Sequence, residues 1–303
     1  MLTYTGSRNL FGQLTLNNSS TNLSFGDTMI NEGIRVMLGT VPWPFLEKTG
    51  TETTVAAQQA YKLPGDLYRL VDVYLQVGTY KYNPTQVANF DDWNRVNNPS
   101  NIQSDTATYY FIIGNSLSFW PTPASNGNTI SYAYLVSNRD ISIADYTTGT
   151  ITTATNGSKT ITGSGTSWTA GMAGMWLRIT AGSAANLGDG LWYQVDTVDS
   201  ATQLTLVREY SGTSITAGSA AYTLGDCSLI PEKYQLGPVY YAACEYFRKN
   251  NDMNRAEYYQ RMFDDISRRL LADEATKTIT SVVDDGSPFN MPINPNLARY
   301  TSS

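Results

Sequence analysis

Histidine is absent from this 303-residue chain, and that absence removes most of the familiar catalytic arrangements. Without an imidazole there is no general base of the common kind, no Ser-His-Asp or Cys-His pairing and no histidine metal ligand. Cysteine chemistry is equally thin. Cys227 and Cys244 are the only two, too few for a usual zinc set, and they read as free, partly buried thiols because nothing marks a secretory context. Gly163-Ser164-Gly165 lacks the later glycine and flanking helix of a dinucleotide site and reads as a hairpin turn. What remains is carboxylates and rings. Asp91-Asp92, Asp264-Asp265 and Asp284-Asp285 supply the paired acids of a glycosidase or a calcium site, although adjacent acids on helices and tails are ordinarily just solvated. Trp168, Trp176 and Trp192 offer a platform on which sugars stack, with core packing of a small β-domain as the plainer reading. The chain is expected to be no enzyme and to need no cofactor.

The elements that must position such residues are clearest between Leu229 and Asp273. Leu236, Tyr240, Ala243 and Phe247 recur at helical steps, as do Ala256, Tyr259, Phe263, Ile266 and Leu270, so two amphipathic helices are expected. Pro231 suits a first turn, Asn250-Asn251-Asp252 suits a tight connection, and Asp252 suits a cap on the second helix. Acid-first pairs four apart, Glu245 with Lys249, Glu257 with Arg261, Asp264 with Arg268 and Asp265 with Arg269, support the outer faces by a few tenths of a kcal/mol each. Two helices cannot cover both stripes, so other elements must pack on them. The helical patterns at Gly6 to Leu16 and Ser24 to Leu38, the second with Ser24 as its expected cap, are the natural partners.

Between these helices the chain changes character. Val41-Pro42-Trp43-Pro44-Phe45-Leu46 is held extended by two prolines and reads as a core plug, with an exposed subunit contact as the alternative. Strands are expected at Glu47 to Val55, Gln59 to Leu63, Tyr68 to Val77, Tyr109 to Ile113, Ser116 to Trp120 and Thr129 to Val136, with a short helix at Gln86 to Val96. Gly114-Asn115 is a two-residue hairpin turn. No run of about 18 apolar residues exists, so no membrane span is expected. Net charge is −6 and only 15% of residues are charged, which argues against a protein that clings to nucleic acid.

In their order, Trp43-Pro44-Phe45-Leu46, Tyr61-Lys62-Leu63-Pro64-Gly65-Asp66 with Arg69-Leu70, Tyr109-Tyr110 with Gly114-Asn115-Ser116-Leu117, Pro121-Thr122-Pro123 and the helix start Ile230-Pro231-Glu232 resemble the head-to-tail adaptor proteins of tailed bacteriophages, the head-completion and tail-tube adaptors. The resemblance covers residues 5–146 and 226–274. It implies a structural virion protein at the head-tail junction, assembled in the host cytoplasm. It also implies a ring, usually of twelve subunits, seated under the portal protein, joined below to a nozzle or tail-tube protein, and passing genomic DNA without reading its sequence.

Residues 148–225 depart from that pattern: close to half are Thr, Ser or Gly, and six short strands between turn signals suggest an inserted all-β domain. The expected fold is therefore α+β, a helical bundle of N- and C-terminal helices with an antiparallel sheet region. Its body is residues 1–147 and 226–274, its insert 148–225, and residues 275–303 form an extended C-terminal arm with a strand-like start at Thr278 to Val283. Pro288, Pro292 and Pro295 bar helix there, yet Phe289, Met291, Ile293, Leu297 and Tyr300 are apolar. Phe289, Met291, Pro292, Ile293, Leu297 and Tyr300, with Trp43 and Phe45, are the candidate partner contacts. Two other classes stay open on residues alone: a carbohydrate- or receptor-binding virion module, in which the insert also meets tail fibres, and a glycoside hydrolase using paired carboxylates.

Overall fold

The computed structural model describes residues 1–97, 102–181, 188–216 and 218–280, with only the helical path for 275–280. They fold as two compact units, residues 1–37 with 140 onward, and Leu38–Arg139.

The chain opens with α1, Tyr4–Thr15, whose Thr3 hydroxyl accepts the Gly6 N–H at the start. Ser7, Phe11 and Thr15, one per turn, are buried. The next helix, α2, Ser20–Gly39, begins four residues earlier than its apolar pattern suggests, because Ser19 rather than Ser24 does the capping: its Oγ accepts the Asn22 N–H at 3.3 Å. Asn22 is itself buried and donates to Thr15 Oγ1 and to the Asn17 carbonyl. Its side chain thereby closes the turn between the two helices.

The unit Leu38–Arg139 is built from two four-stranded sheets. Pro44–Leu46 forms one 3-10 turn where an extended path was expected, since a proline in the first turn gives up no intrahelical N–H. The strands follow in order: β1 Glu47–Thr53, β2 Ala60–Lys62, β3 Leu67–Val77, β4 Tyr80–Tyr82 and β5 Thr85–Gln86, then α3 Phe90–Val96, then β6 Tyr109–Ile113, β7 Ser116–Trp120 and β8 Thr129–Val136. One sheet runs β1-β8-β3-β4 and the other β2-β7-β6-β5, where β5 lies parallel to β6 and every other pairing is antiparallel. The β6–β7 hairpin turns on Gly114-Asn115 with Ile113 opposite Ser116, and Gly114 has φ +59°, the positive value a II′ turn requires at its first central residue. Residues 90–96 are helical as expected, but Thr85–Gln86 are strand; the helix waits for Asn89, whose side chain accepts the Asp92 N–H.

From residue 140 the chain rejoins the helical unit. The buried Asp226 carboxylate accepts the N–H groups of Ser142 and Ile143, at 2.9 and 3.1 Å. Tyr146 and Leu224 exchange both backbone hydrogen bonds at 2.9 Å, so the segment between them leaves and returns at one place. It contains β9 Thr150–Ala154, β10 Thr160–Ser164, β11 Trp176–Ile179, β12 Trp192–Ser200, β13 Gln203–Leu206 and β14 Tyr222–Gly225, in one sheet ordered β14-β11-β12-β13-β10-β9. All buried members of its core, including Ile151, Ile161, Leu177, Val195 and Leu204, fall between residues 151 and 224.

After a 3-10 turn at Glu232–Tyr234 come α4, Leu236–Lys249, and α5, Met253–Thr280. The turn between them places Asn251 at φ +58°, and Asp252 Oδ1 accepts the Arg255 N–H at 3.2 Å. Packing is tight: α4 lies against α1 and α5, Phe11 meets Tyr246 edge-on with centroids 6.0 Å apart, and Lys249 stands 4.6 Å over the Phe25 ring. The expected stripe on α4 is shifted. Leu236 is exposed and Val239, Ala242, Ala243, Cys244 and Phe247 are buried, because small residues let the neighbouring helices approach this face closely. Of the four expected ion pairs, Glu257–Arg261 and Asp265–Arg269 form. Glu245 instead pairs with Arg248, and Arg268 donates to the Asp264 carbonyl. Residues 278–280, expected as the start of a strand-like run, continue α5; helix propagation adds a hydrogen bond per residue without needing an apolar stripe. The molecule is thus α+β, with sheets as substantial as its helices.

Candidate functional site

Of the residues expected to meet a partner, Trp43 and Phe45 are placed by the short 3-10 turn Pro44–Leu46, which Trp43 precedes and Phe45 sits within. Their rings stack at 5.5 Å and 25°. Trp43 is 2% exposed and Phe45 half-buried, so the tryptophan is spent on this chain's own interior and Phe45 presents what surface the pair retains. Phe289, Met291, Pro292, Ile293, Leu297 and Tyr300 lie outside the described residues.

The acidic pairs are occupied locally. Asp92 accepts from the Asn89 side chain at 2.7 Å and lies 3.8 Å from Arg95, a favourable place for an acid in the first turn of α3. Asp264 accepts from Gln260 at 2.8 Å and Asp265 pairs with Arg269 at 2.8 Å. Asp284-Asp285 lies outside the described residues. Among the described residues no three His, Cys, Asp or Glu side chains gather as metal ligands would.

Cys227 and Cys244 are both buried and free. Burial pushes the Cys227 thiol up to about 12, helped by the charges of Asp226, Asp145 and Glu232 against the opposing N-terminal ammonium. Burial also raises Cys244. Neither is a ready nucleophile, since the thiolate is the reactive form.

The three tryptophans of residues 148–225 separate. Trp168 is 3% exposed, donates its indole N–H to the Tyr222 hydroxyl at 3.0 Å and meets that ring edge-on at 5.8 Å; Tyr222 is itself pushed up to about 12, by burial first. Trp176 and Trp192 instead lie half-buried on neighbouring strands, with a groove between β12 and the segment after β13. Leu191, Val207, Arg208 and Glu209 line that groove and had no signal of their own in the sequence, because they flank the strands.

Residues 11–155 match the sequence model of the SU10 adaptor protein family, a family of bacteriophage adaptors. No curated protein matches the chain. The matched region takes in the last turn of α1, all of α2 and the whole Leu38–Arg139 unit, and stops just past β9. Helices α4 and α5 fall outside it, yet α4 is packed on α1 inside it. The match covers just under half of the chain, and the role it suggests is that of a phage adaptor. Among the described residues no helix is long and apolar enough to cross a membrane.

Proposed function

We propose that this protein is a head-to-tail adaptor of a tailed bacteriophage. It sits as a ring, of twelve copies, between the portal protein and a nozzle or tail-tube protein, and genomic DNA passes through the centre. The observation that carries the reading is the match of residues 11–155 to a phage adaptor family. Two physical features support it. The helices that cover one another within a chain still expose Val36, Leu236, Met253, Tyr258 and Leu271, apolar area suited to side-by-side contact with copies of itself. A net charge of −6 suits a passage through which DNA slides without counterion-releasing contacts.

In this reading residues 1–147 and 226–274 form the body, residues 148–225 are an inserted module directed at other virion parts such as tail fibres, and the chain beyond α5 is an arm that docks on a neighbouring subunit or the portal through Phe289, Met291, Pro292, Ile293, Leu297 and Tyr300. Cosedimentation with purified portal tests it: stoichiometric binding of many copies is expected, and no binding, or a single copy per portal, overturns it.

A further inference from the structure

We propose that the outer face of the sheet at β11, β12 and β13 is a binding site for a short stretch of neutral oligosaccharide, stacked on Trp176 and Trp192. The inference rests on this chain's own geometry and stands apart from the adaptor reading.

Strand alternation and register build the face. Leu177 and Ile179 on β11, with Tyr193 and Val195 on β12, point into the core and are nearly inaccessible. Their neighbours Trp176, Arg178, Trp192 and Gln194 must therefore point the other way. Trp176 stands opposite Gln194 and Arg178 opposite Trp192, so the two indoles lie on a diagonal, each flanked across the ladder by a planar polar group. The row continues on the next strand, where the Val207 N–H donates to the Gln194 carbonyl at 2.9 Å.

No core requires this second layer. The inner face already packs the buried cluster, while Leu191 remains 57% and Val207 43% exposed. Together these residues bound a groove of about 440 Å³, with Arg208 and Glu209 at its rim, at the small end of the range of ligand pockets and roomy enough for a few sugar rings. The groove wall is held in place beforehand. The Tyr193 hydroxyl donates to Asp189 and exchanges a 2.7 Å hydrogen bond with Ser211, and Asp189 also accepts the Leu191 N–H at 3.0 Å.

The chemistry selects the class of ligand. A flat indole matches the C–H face of a pyranose ring, and Gln194, Arg208 and Glu209 carry planar donors and acceptors of the kind that grip neighbouring hydroxyls. Among the groove-lining residues one cation, Arg208, is balanced by one anion, Glu209, so the lining itself offers no surplus charge to an acidic or phosphorylated ligand; Arg178 stands outside that lining, 5.8 Å over the Trp192 ring.

The test is a glycan array of neutral and acidic bacterial surface saccharides probed with the full-length chain, each hit titrated by tryptophan fluorescence. A neutral saccharide is expected to bind, Trp192→Ala and Trp176→Ala each to weaken it by about tenfold, and Trp192→Phe to keep most of the affinity. Far-UV spectra should stay unchanged, since both rings are outside the core. Absence of binding across the array, binding of acidic saccharides alone, or affinity indifferent to both alanine variants would overturn the proposal. None of these outcomes bears on ring assembly, which is read with the portal.

Discussion

Replacing Gly26 by alanine tests whether α1 and α2 truly close onto each other. A Cβ at Gly26 would lie 2.5 Å from Cε1 and 2.9 Å from Cγ of Phe11, and closer still to Cδ1. Real Cβ atoms do not approach ring carbons that closely, so the ring or the helix must move. Phe11 has little room: it is 0% exposed and its far side meets Tyr246 of α4. Overpacking of this kind costs about 1–3 kcal/mol, and a clash with three atoms of a fixed ring belongs at the upper end. Against it stands the helix preference for alanine over glycine, about 1 kcal/mol. The net is a loss of about 2 kcal/mol, or roughly 4–8 °C for a unit of this size. Urea and thermal melts at 222 nm read it, because α1, α2, α4 and α5 belong to one unit and dominate that signal. Combining Gly26→Ala with Phe11→Leu should recover about 1 kcal/mol relative to additivity, as contacting sites do. At Gly39 nothing lies within 4 Å of an added Cβ, so Gly39→Ala should be neutral or stabilising. Were Gly26→Ala to stabilise the protein by the full propensity gain, Phe11 would not lie over Gly26 and the helical packing described here would be wrong.

Three further outcomes follow from other parts of the molecule. Replacing Thr150 to Leu224 with a short Gly-Ser linker should leave the helical transition cooperative, because Tyr146 and Leu224 are ladder partners and, among the described residues, the buried members of this core all lie between 151 and 224, with only half-buried hydrophobics such as Tyr146 packed on it from outside; loss of that transition would mean these strands belong to the main core. Both thiols should resist a thiol reagent at pH 8 and react once urea unfolds the chain. The folded pKa of Cys227, about 12, is raised above its ordinary 9.0, so its linked stability is whole below pH 9 and is lost as pH climbs from about 9 to about 12. Native reaction of Cys227 at pH 8 would contradict its burial. Removing Ser287 to Ser303 should leave the melting of the free chain unchanged and weaken its attachment to the portal, as read by cosedimentation; undiminished attachment would dismiss the arm.

Where a local rule and the tertiary fold agree, the chain can be read directly. Gly114-Asn115 names its own hairpin, Asp252 caps α5, and β9 to β14 are the six short strands that the turn signals between residues 148 and 225 mark out. Elements decided by longer-range packing are hidden. β4 is three exposed residues, Tyr80-Lys81-Tyr82, too short to show alternation, and it exists because β3 offers an edge. The start of α2 depends on Ser19 and Asn22 meeting across a turn, which no apolar period reveals. The candidate surfaces follow the same division. Three tryptophans in one segment were visible as a set, but their assignment was not: register turns Trp176 and Trp192 outward on β11 and β12, since a slip of one residue exchanges the faces of a strand, while Trp168 lies in the loop after β10, where no alternation applies, and is buried by tertiary packing. Trp43 likewise shows its aromatic bulk in the sequence and its burial only in the fold.

The central claim, a ring adaptor between portal and tail, is tested most directly by imaging the purified protein bound to its portal and counting copies around the portal axis. Twelve copies in a closed ring with an open lumen is the expected result. An unbound portal, or one carrying a single off-axis copy, would contradict the account.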